Sequence, residues 1–219
     1  TNDIAGLSGG LVYAALLTPQ GKFIVDFFLE ARDDAILLDV DSAHAAALFQ
    51  RLSMYKLRAD VSIEDTQLIV SRGVDNAPPG ALPDPRHPAM GWRLIGETDQ
   101  SQDVDWDPIR VAHLIPETGI ELTPDSYILE AGFEAPHGVD FRKGCYVGQE
   151  VTARMKHKTE LRKGLTRVTI DGTAPVGTPI MAGDKEVGTL FTQSGGQAIA
   201  YLRFDRAKGD LTAGSAQIG

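Results

Sequence analysis

Val12–Thr18 is an apolar run of strand length, and Lys22–Leu29 is a second. In the second run Phe23, Val25 and Phe27 alternate with Ile24, Asp26 and Phe28, the period of a strand with two distinct faces. Pro19-Gln20-Gly21 between them has turn chemistry, Pro pre-setting φ and Gly accepting φ > 0, so the pair predicts a hairpin. Ile36–Val40 is a third run. Asp41 or Ser42 then caps a helix from Ala43 to about Lys56, with Ala45, Leu48, Leu52 and Tyr55 at helical spacing. Val61–Ile63 and Leu68–Ser71 predict short strands. The order β-β-β-α-β-β points to an α+β fold with an antiparallel sheet.

The pattern then breaks. Val74–Pro88 holds five prolines, which cannot complete strand ladders, and predicts a loop. Trp92–Ile95 predicts a strand. Asp107 as cap with Pro108 at the first helical position predicts a helix to about Leu114. Pro124–Gly132 fits a short helix poorly, and Val147–Lys158 fits one well. Beyond Lys163 the texture changes again. Leu165–Ile170, Pro179–Met181, Val187–Thr192 and Ala198–Phe204 are short runs separated by glycines, the pattern of a small β-barrel or sandwich. The division this predicts is 1–160 for the α+β region and 161–219 for a C-terminal β-barrel.

Composition narrows the class. With 42% apolar and 23% charged residues, the 219-residue chain can bury a core. A single cysteine excludes an internal disulfide and fits a reducing compartment. No apolar run is long enough to span a bilayer and the start has no signal-peptide pattern, so the expected location is cytoplasmic. The first residue is Thr1 rather than Met, which suggests a trimmed start. A net charge of −9 argues against a general nucleic-acid binder. Arg142–Arg167 nevertheless carries eight Lys/Arg against two acids. That segment is either a solvated basic face or a landing site for an anion.

The chemistry concentrates in Lys143-Gly144-Cys145-Tyr146-Val147-Gly148-Gln149-Glu150. Two roles for Cys145 stay open. Free cysteine is among the most buried residue types and commonly packs. A cysteine at a predicted helix N-terminus beside Lys143 is favoured as thiolate, and Gly144 and Gly148 admit close approach of a ligand. One cysteine cannot hold a resident iron–sulfur cluster, so at most it lends one ligand to a cluster in transit. The five histidines show no metal-ligand spacing, and no spacing supports a Cys-His triad. No nucleotide-binding glycine motif is present. Asp26 and Glu130 each stand between apolar residues. Each is either an edge position or a carboxylate that accepts the paired N–H donors of an aminopyrimidine ring.

The octapeptide resembles the signature of the YgfZ family, folate-binding proteins of iron–sulfur cluster maintenance related to the glycine-cleavage T protein, an aminomethyltransferase. Val151-Thr152-Ala153-Arg154 and Leu161-Arg162-Lys163 resemble the branch of the mitochondrial iron–sulfur assembly factor. Thr1-Asn2-Asp3 resembles the tail of a family motif. Leu17-Thr18-Pro19-Gln20-Gly21-Lys22 with Asp26, Tyr55-Lys56-Leu57-Arg58, Asp84-Pro85-Arg86, Gly119-Ile120 and Leu129-Glu130 follow in the family's order.

The resemblance implies an aminomethyltransferase-like α+β body closed by a small C-terminal β-barrel, with tetrahydrofolate or a one-carbon derivative as cofactor. It implies Cys145 and Lys143 as the reactive pair. Glu130, Asp26, Gly144, Gln149 and Arg154 are the cofactor-binding residues it implies, with no metal ligands. The expected function is support of [4Fe–4S] assembly or repair in recipient enzymes, without turnover of its own, in the cytoplasm or the mitochondrial matrix. The alternatives are a folate-dependent aminomethyltransferase, for which Cys145 has no counterpart role, and an RNA-binding role linked to tRNA modification. The acidic balance and the lack of aromatics within the basic stretch count against RNA.

Overall fold

A computed structural model describes residues 1–157 and 160–219. β1 (Val12–Leu17) and β2 (Phe23–Arg32) form the predicted hairpin, with Gly21 at φ +75° in its turn, and β3 (Ala35–Asp39) completes a three-stranded antiparallel sheet. α1 (Ser42–Tyr55) is capped by Asp41, whose carboxylate accepts the Ala43 N–H at 2.8 Å. It lays Leu48 on Ala14, Val25 and Phe27 of the sheet, so this face of β2 packs against the helix, while Phe28 on the other face joins the main core. Asp26 and Phe28 are left on the other.

The expected strand at Val61–Ile63 is absent: the segment is coil with Val61 and Ser62 exposed and Ile63 half-buried, beside the charges Asp60, Glu64 and Asp65, and among the described residues no strand pairs with it. β4 (Ile69–Gly73) pairs with β6 (Trp92–Gly96), and β5 (Leu82–Pro83) pairs with the start of β6. The proline-rich stretch is therefore a loop carrying one two-residue edge strand. A 3-10 turn spans Ile4–Gly9 and another spans Pro88–Met90. α2 (Asp107–His113) begins one residue earlier than expected. Asp107 is inside the helix rather than its cap, because its carboxylate pairs with Arg110 one turn on at 3.1 Å. Pro124–Gly132 is a succession of turns, not a helix. α3 spans Gln149–His157, so the expected start at Val147 is corrected by two residues, and Lys158 lies outside the described residues.

Six strands close a barrel in the order β10-β7-β12-β11-β8-β9. They are β7 (Lys163–Asp171), β8 (Pro179–Ala182), β9 (Lys185–Ser194), β10 (Gln197–Arg203), β11 (Leu211–Ala213) and β12 (Ala216–Ile218). The last two, three residues each, are too short to show a period and escaped the sequence pattern. The fold is thus the expected α+β body with antiparallel sheets and a small C-terminal barrel. Its main core crosses between the two parts: Tyr13, Phe23, Phe28, Ile128 and Phe133 of the body pack with Leu165 and Ile199 of the barrel.

Polar contacts fasten the same seam. Glu121, fully buried, accepts the Thr192 hydroxyl of β9 at 2.5 Å through one oxygen and binds Arg110 of α2 through the other. Arg110 in turn reaches Asp107 and Glu117. A buried guanidinium at three carboxylates leaves no unpaired charge inside.

Candidate functional site

Cys145 lies in the loop ahead of α3, exposed and free. It is four residues before the first helical residue, so the expected placement at the helix N-terminus is corrected. The reason is local. Gln149 turns its side-chain carbonyl back onto the Tyr146 N–H at 3.2 Å, while its own N–H donates to the Tyr146 carbonyl at 3.2 Å. The two bonds close a turn over Tyr146–Gln149 that leads directly into the helix at Gln149. Gln149 therefore shapes the loop. Gly148, at φ +84°, abuts the first hairpin: a Cβ there would stand 2.6 Å from the Thr18 carbonyl oxygen and 3.0 Å from Gly21 Cα. That glycine serves packing rather than ligand approach. Gly144 has open space where its Cβ would be. The Lys143 ammonium sits 5.2 Å from the Tyr146 ring centroid, a cation–π distance. Arg154 is exposed on α3.

Glu130 is buried at the seam. Its Oε2 accepts the Tyr201 hydroxyl at 2.5 Å and lies 3.5 Å from the Lys163 ammonium. Its backbone carbonyl accepts the Leu165 N–H at 2.7 Å, which ties the carboxylate to the start of the barrel. Burial, then the bond to Glu130, pushes the Tyr201 phenol well above its ordinary value, so it stays a donor. Glu130 opens on a cavity of about 750 Å³ lined also by Met155, His157, Arg162, Lys163 and Arg203.

Asp26 occupies a different place. Its Oδ2 accepts the Tyr13 hydroxyl at 2.8 Å and its Oδ1 accepts the Thr118 hydroxyl. Tyr13 is buried between Phe28 and Phe133, and burial first, then the Asp26 charge, raises its phenol far above the usual range. Asp26 lines a smaller cavity of about 150 Å³ together with Arg72, Arg86, Arg93 and Arg110. Asp84 holds Arg86 bidentately at 3.0 and 2.7 Å, and Asp39 holds Arg93 at 2.8 Å and 2.5 Å. The two carboxylates singled out in the sequence are therefore lining residues of separate cavities. The basic stretch is also divided: Lys156 pairs with Glu134, Lys163 with Glu130, and Arg167 donates to the Ala112 carbonyl at 2.5 Å.

Tyr13, Thr118 and Tyr201 carry no local signal as carboxylate partners: Tyr13 and Thr118 lie 13 and 92 positions from Asp26, and Tyr201 lies 71 positions from Glu130. Asp84 and Arg86 had a local signal, an acid and an arginine two residues apart around a proline. Among the described residues no helix is long and apolar enough to cross a membrane, and no group of three or more His, Cys, Asp or Glu is placed to hold a metal ion.

The fold defines the class first. The chain is similar to a glycine cleavage system aminomethyltransferase T from Bartonella henselae, with a TM-score of 0.72 over 96% of this chain and 74% of that one, at 11% identity. Residues 162–218 match the CAF17 C-terminal beta-barrel domain. The sequence then gives the family. The chain is 31% identical to the mitochondrial iron-sulfur cluster assembly factor IBA57 of Mus musculus over 93% of its own length and 68% of that protein's. It is 29% identical to the Homo sapiens protein over 91% and 66%, and 32% identical to the Mycosarcoma maydis homolog over 80% and 52%. The chain belongs to the IBA57 family, and it spans about half to two-thirds of the length of these relatives.

Proposed function

We propose that this chain is an iron–sulfur cluster assembly factor. In this reading Cys145 lends its thiol to a [4Fe–4S] cluster or its recipient protein, and a tetrahydrofolate lies in the cavity beside Glu130. The observation that carries the reading is the position of Cys145. It is the chain's one thiol, exposed, on a loop fixed by the bonds between Gln149 and Tyr146 and by Gly148 against the hairpin. A thiol that only packs is buried. A thiol that meets another protein's cluster must be reachable and held in place. Lys143 and Tyr146 flank it, and Arg154 presents a further cation on the adjoining helix.

The fit of the folate is chemical. Both side-chain contacts of Glu130 go to Oε2, which leaves Oε1 to accept the N–H donors of the pterin edge. The cavity volume is in the range of cofactor sites, about 300–1,000 Å³. Arg162, Lys163 and Arg203 on its wall suit the carboxylates of a glutamyl tail. When bound, the folate supplies nitrogens that carry a one-carbon unit. The chain's own residues orient the pterin and neutralise the tail. Asp26, in the smaller cavity, stands outside this contact set.

Equilibrium titration of the purified chain with 5-formyltetrahydrofolate tests the folate part. The reading predicts saturable binding that Glu130→Ala weakens about tenfold or more, as expected for a lost charge-assisted pair, and that Cys145→Ala leaves intact. Absence of saturable binding would remove the folate and leave the cysteine.

A further inference from the structure

Along β10 the side chains of Ala198, Ala200 and Leu202 fill the barrel, so Ile199, Tyr201 and Arg203 stand on the strand's outer face. Ile199 joins the core shared with the body, Arg203 lines the larger cavity, and Tyr201 lies between them. In the sheet Tyr201 is paired with Leu165 of β7 on one side and with Thr189 of β9 on the other, which fixes its backbone. Leu165 is also the residue whose N–H donates to the Glu130 carbonyl at 2.7 Å. One rung of the barrel therefore holds Glu130 twice: by its backbone through Leu165, and by its carboxylate through the Tyr201 hydroxyl at 2.5 Å.

We propose that Tyr201 is the positioning residue of the larger cavity: it holds Oε2 of Glu130 so that Oε1 is presented to a ligand's N–H donors. The inference rests on the folate reading above and adds to it the residue that aims Glu130. Two features select Tyr201. Its hydroxyl only donates here. Burial first, then the bond to Glu130 and its charge, push the phenol well above its ordinary value, so no ionised form competes at neutral pH. The other partner of Oε2 is a looser one: Lys163 is 3.5 Å away with its side chain 44% exposed, where water screens the pair. A carboxylate held by that lysine alone keeps much of its rotamer freedom. A short bond from a strand paired on both sides removes that freedom before the ligand arrives, which lowers the cost of binding.

Titration of the full chain with 5-formyltetrahydrofolate, run as a double-mutant cycle, tests this. Tyr201→Phe keeps the ring and removes the hydroxyl. It should weaken binding about fivefold or more, on the scale of one hydrogen bond to a charged group. In a Glu130→Ala background the same substitution should change affinity by less than about twofold, because no carboxylate is left to aim. A hydroxyl that serves only the fold would cost the same factor in both backgrounds. Tyr201→Phe should lower Tm by no more than about 6 °C, the effect of one hydrogen bond in a chain of this size. Tyr201→His, which retains a ring N–H donor, should recover part of the lost affinity, and it carries the cycle if Tyr201→Phe does not fold. Equal losses in the two backgrounds, or wild-type affinity in Tyr201→Phe where Glu130→Ala weakens binding, overturns the proposal and leaves the folate reading standing. Absence of saturable binding by the wild type removes the folate reading and this inference together, so the two failures are read apart.

Discussion

Gly148 and Gly21 touch backbone to backbone: a methyl group on Gly148 would stand 3.0 Å from the Gly21 Cα, and one on Gly21 would stand 2.8 Å from Val151 Cβ. The start of α3 is thereby pressed into the turn of the first hairpin, 127 positions earlier in the chain, and the Cys145 loop is set relative to the sheet. The octapeptide's two glycines consequently differ in kind.

Gly148→Ala should destabilise the protein by about 2–4 kcal/mol, from the strain of a positive φ together with the clash at the Thr18 carbonyl. Gly144→Ala, where open space awaits the methyl, should stay within about 0.5 kcal/mol. Urea unfolding of the two variants measures both, and equal losses would contradict the packing role assigned to Gly148.

The seam between body and barrel depends on Glu121. Glu121→Ala strips Arg110 of its most buried partner and leaves the Thr192 hydroxyl unanswered. The expected cost is about 3–5 kcal/mol, the scale for breaking a buried ion pair. Thr192→Val removes only the neutral partner and should cost about 1–2 kcal/mol. Chemical denaturation monitored by Trp fluorescence reads both, and a milder loss for Glu121→Ala than for Thr192→Val would refute the clamp.

Asp84 supplies a pH dependence. Burial alone would raise its carboxyl, but the bidentate bond and charge of Arg86, with Arg93 nearby, outweigh it and hold the carboxyl below the usual carboxylate value. A depressed folded value contributes stability that is fully present above the unfolded value, about 3.9, and is lost as pH falls through the folded value. Asp84→Asn should therefore cost about 3 kcal/mol at neutral pH. The difference from wild type should shrink only in acid, below about pH 4. A difference that is constant from neutral pH to pH 3 would show that the charge of Asp84 is not what matters.

The cations around the Glu130 cavity make a prediction about ligand charge. If Arg162, Lys163 and Arg203 meet a glutamyl tail, then Arg203→Ala should weaken a polyglutamylated folate more than a monoglutamate. Added salt should narrow the gap, since exposed charge pairs are screened. Parallel titrations with the two folates decide it, and identical losses for both would take Arg203 off the tail.

The sequence displayed the elements whose pattern is local. The hairpin, α1 with its Asp41 cap and the four longer barrel strands lie where the periodicity put them. β11 and β12 were invisible because three residues show no period, and Val61–Ile63 misled because an apolar triplet does not guarantee a partner strand. α3 was misplaced at its start because the turn that Gln149 closes on Tyr146 is set by side-chain reach, which spacing alone does not show. The site was legible as a list of residues and not as an arrangement. Cys145 and Glu130 stood out through their neighbours in sequence. That Glu130 and Asp26 line different cavities, and that Tyr13 and Tyr201 answer them, depends on contacts across 13 and 71 positions that only the folded chain creates.

The most direct test of the central claim is aconitase activity in source cells whose sole copy of this protein carries Cys145→Ala, with the level of the variant confirmed by immunoblot. The account predicts that activity falls and that iron plus sulfide added to the extract restores it, because the enzyme is present and lacks its cluster. Normal aconitase activity and growth in these cells, while Glu130→Ala or Asp26→Ala impairs them, would contradict it and make the protein a folate-dependent transferase in which the thiol is incidental.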